Sequence, residues 1–182
     1  MIILFLAVTI HCIFLIFFNQ LERLLKFHKQ RLTKVNRIMR IFKAEQWNLA
    51  VLLPLFEEYR LAHGMSENPD RTLTFLSNRI RFSESIFFIA VDDNQTAVGF
   101  IQLYPRLSSL QLQRYWQLTD MFVQDGKFQN EIYKSLIEKA KEFVSFTQST
   151  RLTVEQDMQQ RHILESEGFR LNPKKAVFEL NL

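Results

Sequence analysis

Glycine is scarce in this chain, with four in 182 residues. So few glycines leave little scope for loops whose bare backbone must approach a ligand closely. Cysteine is represented by Cys12 alone. That excludes an internal disulfide framework and a cysteine-held zinc cluster, and it suits a reducing compartment. The sequence carries no phosphate-loop signature, no metal-ligand spacing and no nucleophile motif. It also lacks internal repeats and low-complexity linkers.

Charge is distributed unevenly. Met1–Phe18 carries no charged side chain. Between Asn19 and Lys43, eight Lys/Arg stand against the single acid Glu22. The whole chain is only +4, so everything from Ala44 onward is mildly acidic. A nucleic-acid-binding face is therefore not expected on that part.

The N-terminus reads MIILFLAVTIHCIFLIFF, interrupted by Thr9 and His11. As a helix it would span about 27 Å, near the minimum for a bilayer core. It has neither the basic start nor the small-residue cleavage site of a secretory signal. The basic flank follows the run, which would leave the rest of the chain cytoplasmic. Residues 19–38 continue as a basic amphipathic helix with Leu21, Leu24, Leu25, Leu32 and Val35 on one stripe, suited to an anionic leaflet. Three readings fit residues 1–38: an anchor in the inner membrane, a helix packed on the following domain, or a segment never translated. In the last case synthesis starts at Met39 and the product is a soluble cytoplasmic protein.

From Met39 the patterning is that of an α/β domain. Arg40–Phe42 reads as a strand, and Gln46–His63 as a helix that Pro54 should kink or split near Leu53. Asn68-Pro69-Asp70 opens a second helix with Leu73, Leu76, Ile80 and Phe82 as its apolar residues. Ser85–Val91 and Ala97–Tyr104 form a hairpin around the turn Asp92–Gln95, with Pro105 ending the second strand. Leu110–Val123 is a long β segment. A turn at Gln124–Lys127 leads to an amphipathic helix, Asn130–Phe146. The strand Arg151–Val154, a short helix Gln159–Glu167 stopped by Gly168, and a last strand Ala176–Leu180 complete the order. A meander followed by β-α-β-α-β gives a mixed, mostly antiparallel sheet flanked by helices.

Three stretches in this order carry a family resemblance. AVGFIQLYPRLSS resembles the central antiparallel pair of the GNAT superfamily of acyl-CoA N-acyltransferases. WQLTDMFV with the helix after it is similar to that family's fourth strand and following helix. RLTVEQ and LESEGFRL resemble its C-terminal strand, helix and corner. The resemblance spans roughly Met39 to Leu182. It implies transfer of an acetyl group from acetyl-CoA to an amine, on a small molecule or a peptide. It also implies a fourth strand that splays from the fifth, with the backbone of Met121, Phe122 and Val123 pairing the pantetheine arm.

The family's pyrophosphate loop then departs from pattern. Phe128–Tyr133 occupies it, with Glu131 and Tyr133 at the two glycine positions. A carboxylate about 4 Å from a phosphate costs about 4 kcal/mol per charge pair at an effective dielectric near 20. Gly126 and Lys127 are the substitute anion contacts nearby. Leu164 stands where the family often has a proton-donating tyrosine, and Gln156–Gln160 lacks the family's cofactor-contacting asparagine. Asp120 is the candidate general base, and Tyr59, Tyr104 and Trp116 are candidate lining residues of the acceptor pocket. His162 reads as an exposed helix residue, and Glu155 with Asp157 as a solvated strand end. The competing reading is a catalytically inactive GNAT-like binding domain that holds no acetyl-CoA.

Overall fold

The computed structural model describes residues 20, 22, 39–155, 160–172 and 177–181. By contacts the chain divides into Met1–Ile38 and Met39–Leu182. The apolar run 1–18, the basic amphipathic segment and Gln156–Gln159 lie outside the described residues, apart from Gln20 and Glu22.

Seven strands form one sheet: β1 (Arg40–Lys43), β2 (Ile86–Val91), β3 (Ala97–Ser108), β4 (Gln113–Val123), β5 (Arg151–Glu155), β6 (Arg170–Asn172) and β7 (Val177–Asn181). Their spatial order is β1-β2-β3-β4-β5-β7-β6. All neighbours are antiparallel except β4 and β5, which run parallel. Among the described residues from Met39 on, four α-helices accompany them: α1 (Leu49–Ala62), α2 (Pro69–Arg81), α3 (Gln129–Phe146) and α4 (Arg161–Ser166). A 3-10 turn, Gln46–Asn48, leads into α1.

β2 reads IFFIAV and is buried throughout, as a central strand covered on both faces must be. Its alternate residues feed two cores. Phe88 and Ala90 pack with Leu118, Leu152 and Phe178 of the sheet, Leu136 and Ile137 of α3, and Ile163 and Leu164 of α4. Phe87 and Ile89 pack with Phe100 of β3, Leu52 and Leu55 of α1 and Leu76 of α2. Each fully buried leucine or phenylalanine stabilises the fold by roughly 1.5–3 kcal/mol.

Local signals set several boundaries. The Asn68 side chain accepts a hydrogen bond from the Arg71 amide, Pro69 fills the first position of α2, and Arg79 and Arg81 sit in its last turn. These are the preferences of a capped, dipole-matched helix. The buried face of α3 comprises Tyr133, Leu136, Ile137, Ala140 and Val144, the i, i+3, i+4 spacing of one apolar stripe.

Two prolines behave differently from their sequence reading. α1 runs unbroken through Pro54; one lost backbone hydrogen bond is outweighed by the apolar face that the helix buries. β3 continues through Pro105 to Ser108. Pairing with β2 ends at Leu103, so Pro105 has β4 on one side only, an edge position that proline tolerates. The three-residue β6 is an addition to the sequence-derived order.

Candidate active site

β4 departs from regular pairing at one point, and that point organises the site. Gln102 of β3 pairs with Asp120, but the next residue, Leu103, pairs with Leu118. Thr119 is therefore an extra residue, a bulge. β4 pairs with β5 only at Trp116–Leu152, Gln117–Thr153 and Leu118–Val154. Past the bulge, among the described residues, the segment Thr119–Val123 has no strand on its β5 side, and a fork opens between the two parallel strands.

The bulge also reverses which face each residue addresses. Trp116 and Leu118 face the α3 core before it, and Asp120 and Phe122 face α1 after it. Asp120 lies half-buried at the fork. Its Oδ1 accepts a 2.8 Å hydrogen bond from the Tyr59 hydroxyl, and its Oδ2 accepts one of 2.5 Å from Thr119 Oγ1. Tyr59 is itself wedged among the rings of Phe56, Phe100 and Phe122, with centroids 5.6, 5.4 and 5.8 Å away. Across the ladder, the Tyr104 hydroxyl accepts from Gln102 Nε2 at 2.8 Å. Burial, reinforced by the Asp120 charge, pushes the Tyr104 phenol above its ordinary value. Tyr104 is thus a neutral hydroxyl at physiological pH, beside a carboxylate.

The structure therefore brings together Tyr59, Tyr104 and Asp120. It does not bring Trp116 to them. Trp116 is 5% exposed on the opposite face, packs edge-on against Phe143 at 4.9 Å and donates through Nε1 to Thr147 Oγ1. Trp116 is a core residue, not a pocket residue.

The strand edge at the fork is partly occupied by the chain's own side chains. The Val123 amide donates to the Tyr133 hydroxyl at 3.2 Å, and the Val123 carbonyl accepts from Gln129 Nε2 at 3.1 Å. The Gln124 amide bonds instead to Val98 of β3. Strand alternation then turns the main chain of Met121 and Val123 toward the fork and that of Phe122 toward β3. Phe122 is thereby corrected: it offers its ring to the α1 core and no backbone group to the fork. Tyr133, 5% exposed, anchors the start of α3 at this edge. Gly99 permits that approach, since a Cβ there would lie 3.0 Å from Val123 Cγ2 and 3.2 Å from Ile132 Cγ2.

Gly126 and Lys127 lie in the β4–α3 turn. A Cβ at Gly126 would meet nothing within 4 Å, and Lys127 Nζ lies 5.9 Å from the Phe128 ring centroid. Glu131 stands in the first turn of α3, and Leu164 is fully buried in the α3 core.

One feature escaped the sequence reading. A cavity of about 620 Å³ opens on the Asp120 face of the sheet, next to the fork, with Arg106, Tyr115, Gln117, Arg151 and Glu155 among its lining residues. The available signal was the alternation Arg151-Thr153-Glu155 on β5 beside Tyr115-Gln117 on β4. It is legible only once those strands are known to be parallel neighbours.

No family model matches the chain. A Haemophilus influenzae protein named a probable acetyltransferase is 66% identical over 144 residues, spanning 79% of this chain and 99% of that one. A crystal structure of a probable acetyltransferase superposes with a TM-score of 0.69 at 34% identity, over 74% of this chain and 92% of that one. A protein from Clostridium acetobutylicum described as a predicted acetyltransferase, solved with acetyl-CoA, shares the fold at a TM-score of 0.62 and 12% identity, over 75% and 93% of the two chains. The chain belongs to the GNAT family of acetyltransferases.

Proposed function

We propose that this acetyltransferase takes its acetyl group from acetyl-CoA, at the fork between β4 and β5, and passes it to an amine. The observation that carries this reading is the placement of Asp120 at the mouth of the fork, its two oxygens aimed by Tyr59 and Thr119. Among the described residues Asp120 forms no ion pair, so its charge is not already spent on a cation. The exposed main chain of Met121 suits a thioester carbonyl, because a strand-edge amide can donate to it. The amine nitrogen attacks that carbonyl carbon, a C–N bond forms and the C–S bond breaks. The proton lost from nitrogen passes to Asp120, directly or through water, and the thiolate leaves to be protonated by solvent. Leu164 cannot supply that proton. The protein's contribution is therefore positioning and proton removal.

Tyr133 and Gln129 favour a second reading. They already hold both outward main-chain groups of Val123, and Glu131 adds negative charge at the start of α3. On this reading the domain binds an amine ligand without acyl transfer. Calorimetry separates the two. Saturable heat with acetyl-CoA and amine-dependent release of coenzyme A support transfer. Folded protein that gives no heat at millimolar acetyl-CoA supports the binding domain.

We infer further that the working unit is Met39–Leu182, a span of the same 144-residue length as the Haemophilus match. A role for residues 1–38 at a membrane surface is a separate proposal, supported by their apolar and basic sequence. Among the described residues no helix is long and apolar enough to cross a membrane.

A further inference from the structure

Charges of both signs line the cavity beside the fork: Arg106 and Arg151 toward the β3–β4 hairpin, Glu155 at the fork, and Glu179 of β7, which pairs with Thr153 and accepts from Asn172 Nδ2. Arg106, on β3, donates through Nε to Gln117 Oε1 at 2.5 Å. The Gln117 amide nitrogen in turn donates to the Glu155 carboxylate. This relay lies along the cavity floor, cationic at the Arg106 end and anionic at the Glu155 end. Glu155 is the first residue of β5 past its last pairing with β4, so the anionic end is the end at the fork.

Arg151 strengthens the cationic end. Its guanidinium lies 3.9 Å from the Tyr115 ring centroid, and Nη1 donates to Gln111 Oε1 at 3.2 Å. Its Nε is buried without a hydrogen-bond partner, and a buried unsatisfied donor is costly unless something accepts from it. Neither arginine forms an ion pair among the described residues. A guanidinium held over a ring presents a fork of donors that suits carboxylate or phosphate. One wall is apolar: Leu107 and Leu110, 78% and 95% exposed, rise from the β3–β4 hairpin.

The relay keeps the two charges close. Arg106 Nε and the Glu155 carboxylate hold opposite ends of one carboxamide, that of Gln117, so a single small ligand can touch both.

We propose that the acceptor is a small amine that also carries a carboxylate or phosphate. Its amine sits at the Glu155 end, next to the fork, and its anion rests on Arg106 and Arg151. This assignment rests on the transfer reading for the direction of the amine, but binding alone tests it.

The test is a binding titration on the protein without acetyl-CoA, followed by NMR or calorimetry. The probes are 6-aminohexanoate, hexylamine, norleucine and 5-aminopentyl phosphate. Norleucine is an isomer of 6-aminohexanoate with its charges adjacent, so the pair reads the charge separation. The expected result is at least tenfold tighter binding of one or more of 6-aminohexanoate, norleucine and the phosphate than of hexylamine. The tightest of the three identifies the anion and its distance from the amine. In Arg151→Met and Arg106→Met the preference over hexylamine falls to within about threefold, while hexylamine binding is unchanged. Should either variant fail to fold, the wild-type comparison alone decides. Equal binding of hexylamine, no binding of any probe at 10 mM, or a preference that survives both substitutions overturns the proposal. Failure of acetyl-CoA to bind leaves this result intact and removes only the transfer reading.

Discussion

Asp120 is the residue on which the proposed chemistry turns. Asp120→Asn keeps the shape and removes the base, so kcat should fall about 10²- to 10⁴-fold with KM little changed. Tyr59→Phe deletes one charge-assisted hydrogen bond to that carboxylate, worth about 1.5–3 kcal/mol, and should cost less activity than the aspartate does. Steady-state kinetics with coenzyme A release as readout checks both. An Asp120→Asn enzyme with wild-type kcat would remove the assignment. Glu57 offers a residue-scale stability prediction. Burial opposes its charge, but hydrogen bonds from Thr72, the Asn68 amide and Arg60 outweigh this and hold its pKa below the ordinary 4.5. A depressed carboxylate stabilises the fold above its unfolded pKa, and that stability is lost as pH falls through the folded value. The wild-type melting temperature should therefore drop below about pH 4.5, and Glu57→Gln should be less stable at neutral pH and flatter in acid. At this scale the elements that carry Tyr59, Tyr104 and Asp120 were legible in the sequence, because each was correctly placed. Trp116 was not. A strict period of two puts Trp116 and Asp120 on one face, and the extra residue at Thr119 puts them on opposite faces. Nothing in WQLTDMFV announces that bulge.

Among the elements, α3 carries the residues on which the competing reading rests. Its start brings the Tyr133 hydroxyl onto the Val123 amide, with Glu131 in its first turn. Glycine at 133 would leave a cavity in the core, so milder substitutions are more informative. Tyr133→Phe frees the Val123 amide while keeping the ring, and Glu131→Gln removes the charge while keeping the helix former. We expect Glu131→Gln to tighten acetyl-CoA binding about tenfold, in line with a like-charge term of about 1–4 kcal/mol between water and a partly buried site. Tyr133→Phe should tighten it further, as calorimetric Kd values would show. Unchanged affinity in both variants would mean that neither residue obstructs the cleft. The substitutions at the glycine positions could be read from sequence, but the hydrogen bonds of Tyr133 and Gln129 could not, because they depend on how α3 docks. Gly99 hints at that docking only in hindsight. Pro54, read as a kink or a split, does not split α1, and Pro105 does not end β3: a proline's local cost was weighed without the burial and edge position that offset it.

The fold of the whole molecule was the most legible feature, since hydrophobic periodicity and the turn between Asp92 and Gln95 dictate most of the order from β1 to β5. Only β6, three residues long, was below what patterning can detect. The two cores lie on either side of one sheet, so damage to one should destabilise the entire domain. Leu136→Ala, at a fully buried position, should cost about 2–5 kcal/mol and lower the melting temperature by about 2–4 °C per kcal/mol. Met39–Leu182 produced alone should melt in one cooperative transition and keep transfer activity; a molten or inactive fragment would show that residues 1–38 are needed.

Acetyl-CoA binding at the fork can be seen directly in an amide-resolved NMR titration of the protein. The account predicts saturable shifts at the Met121 and Val123 amides as the Tyr133 hydroxyl gives way to the donor. Saturation with shifts confined to other surfaces, or no shifts at millimolar acetyl-CoA, would contradict it.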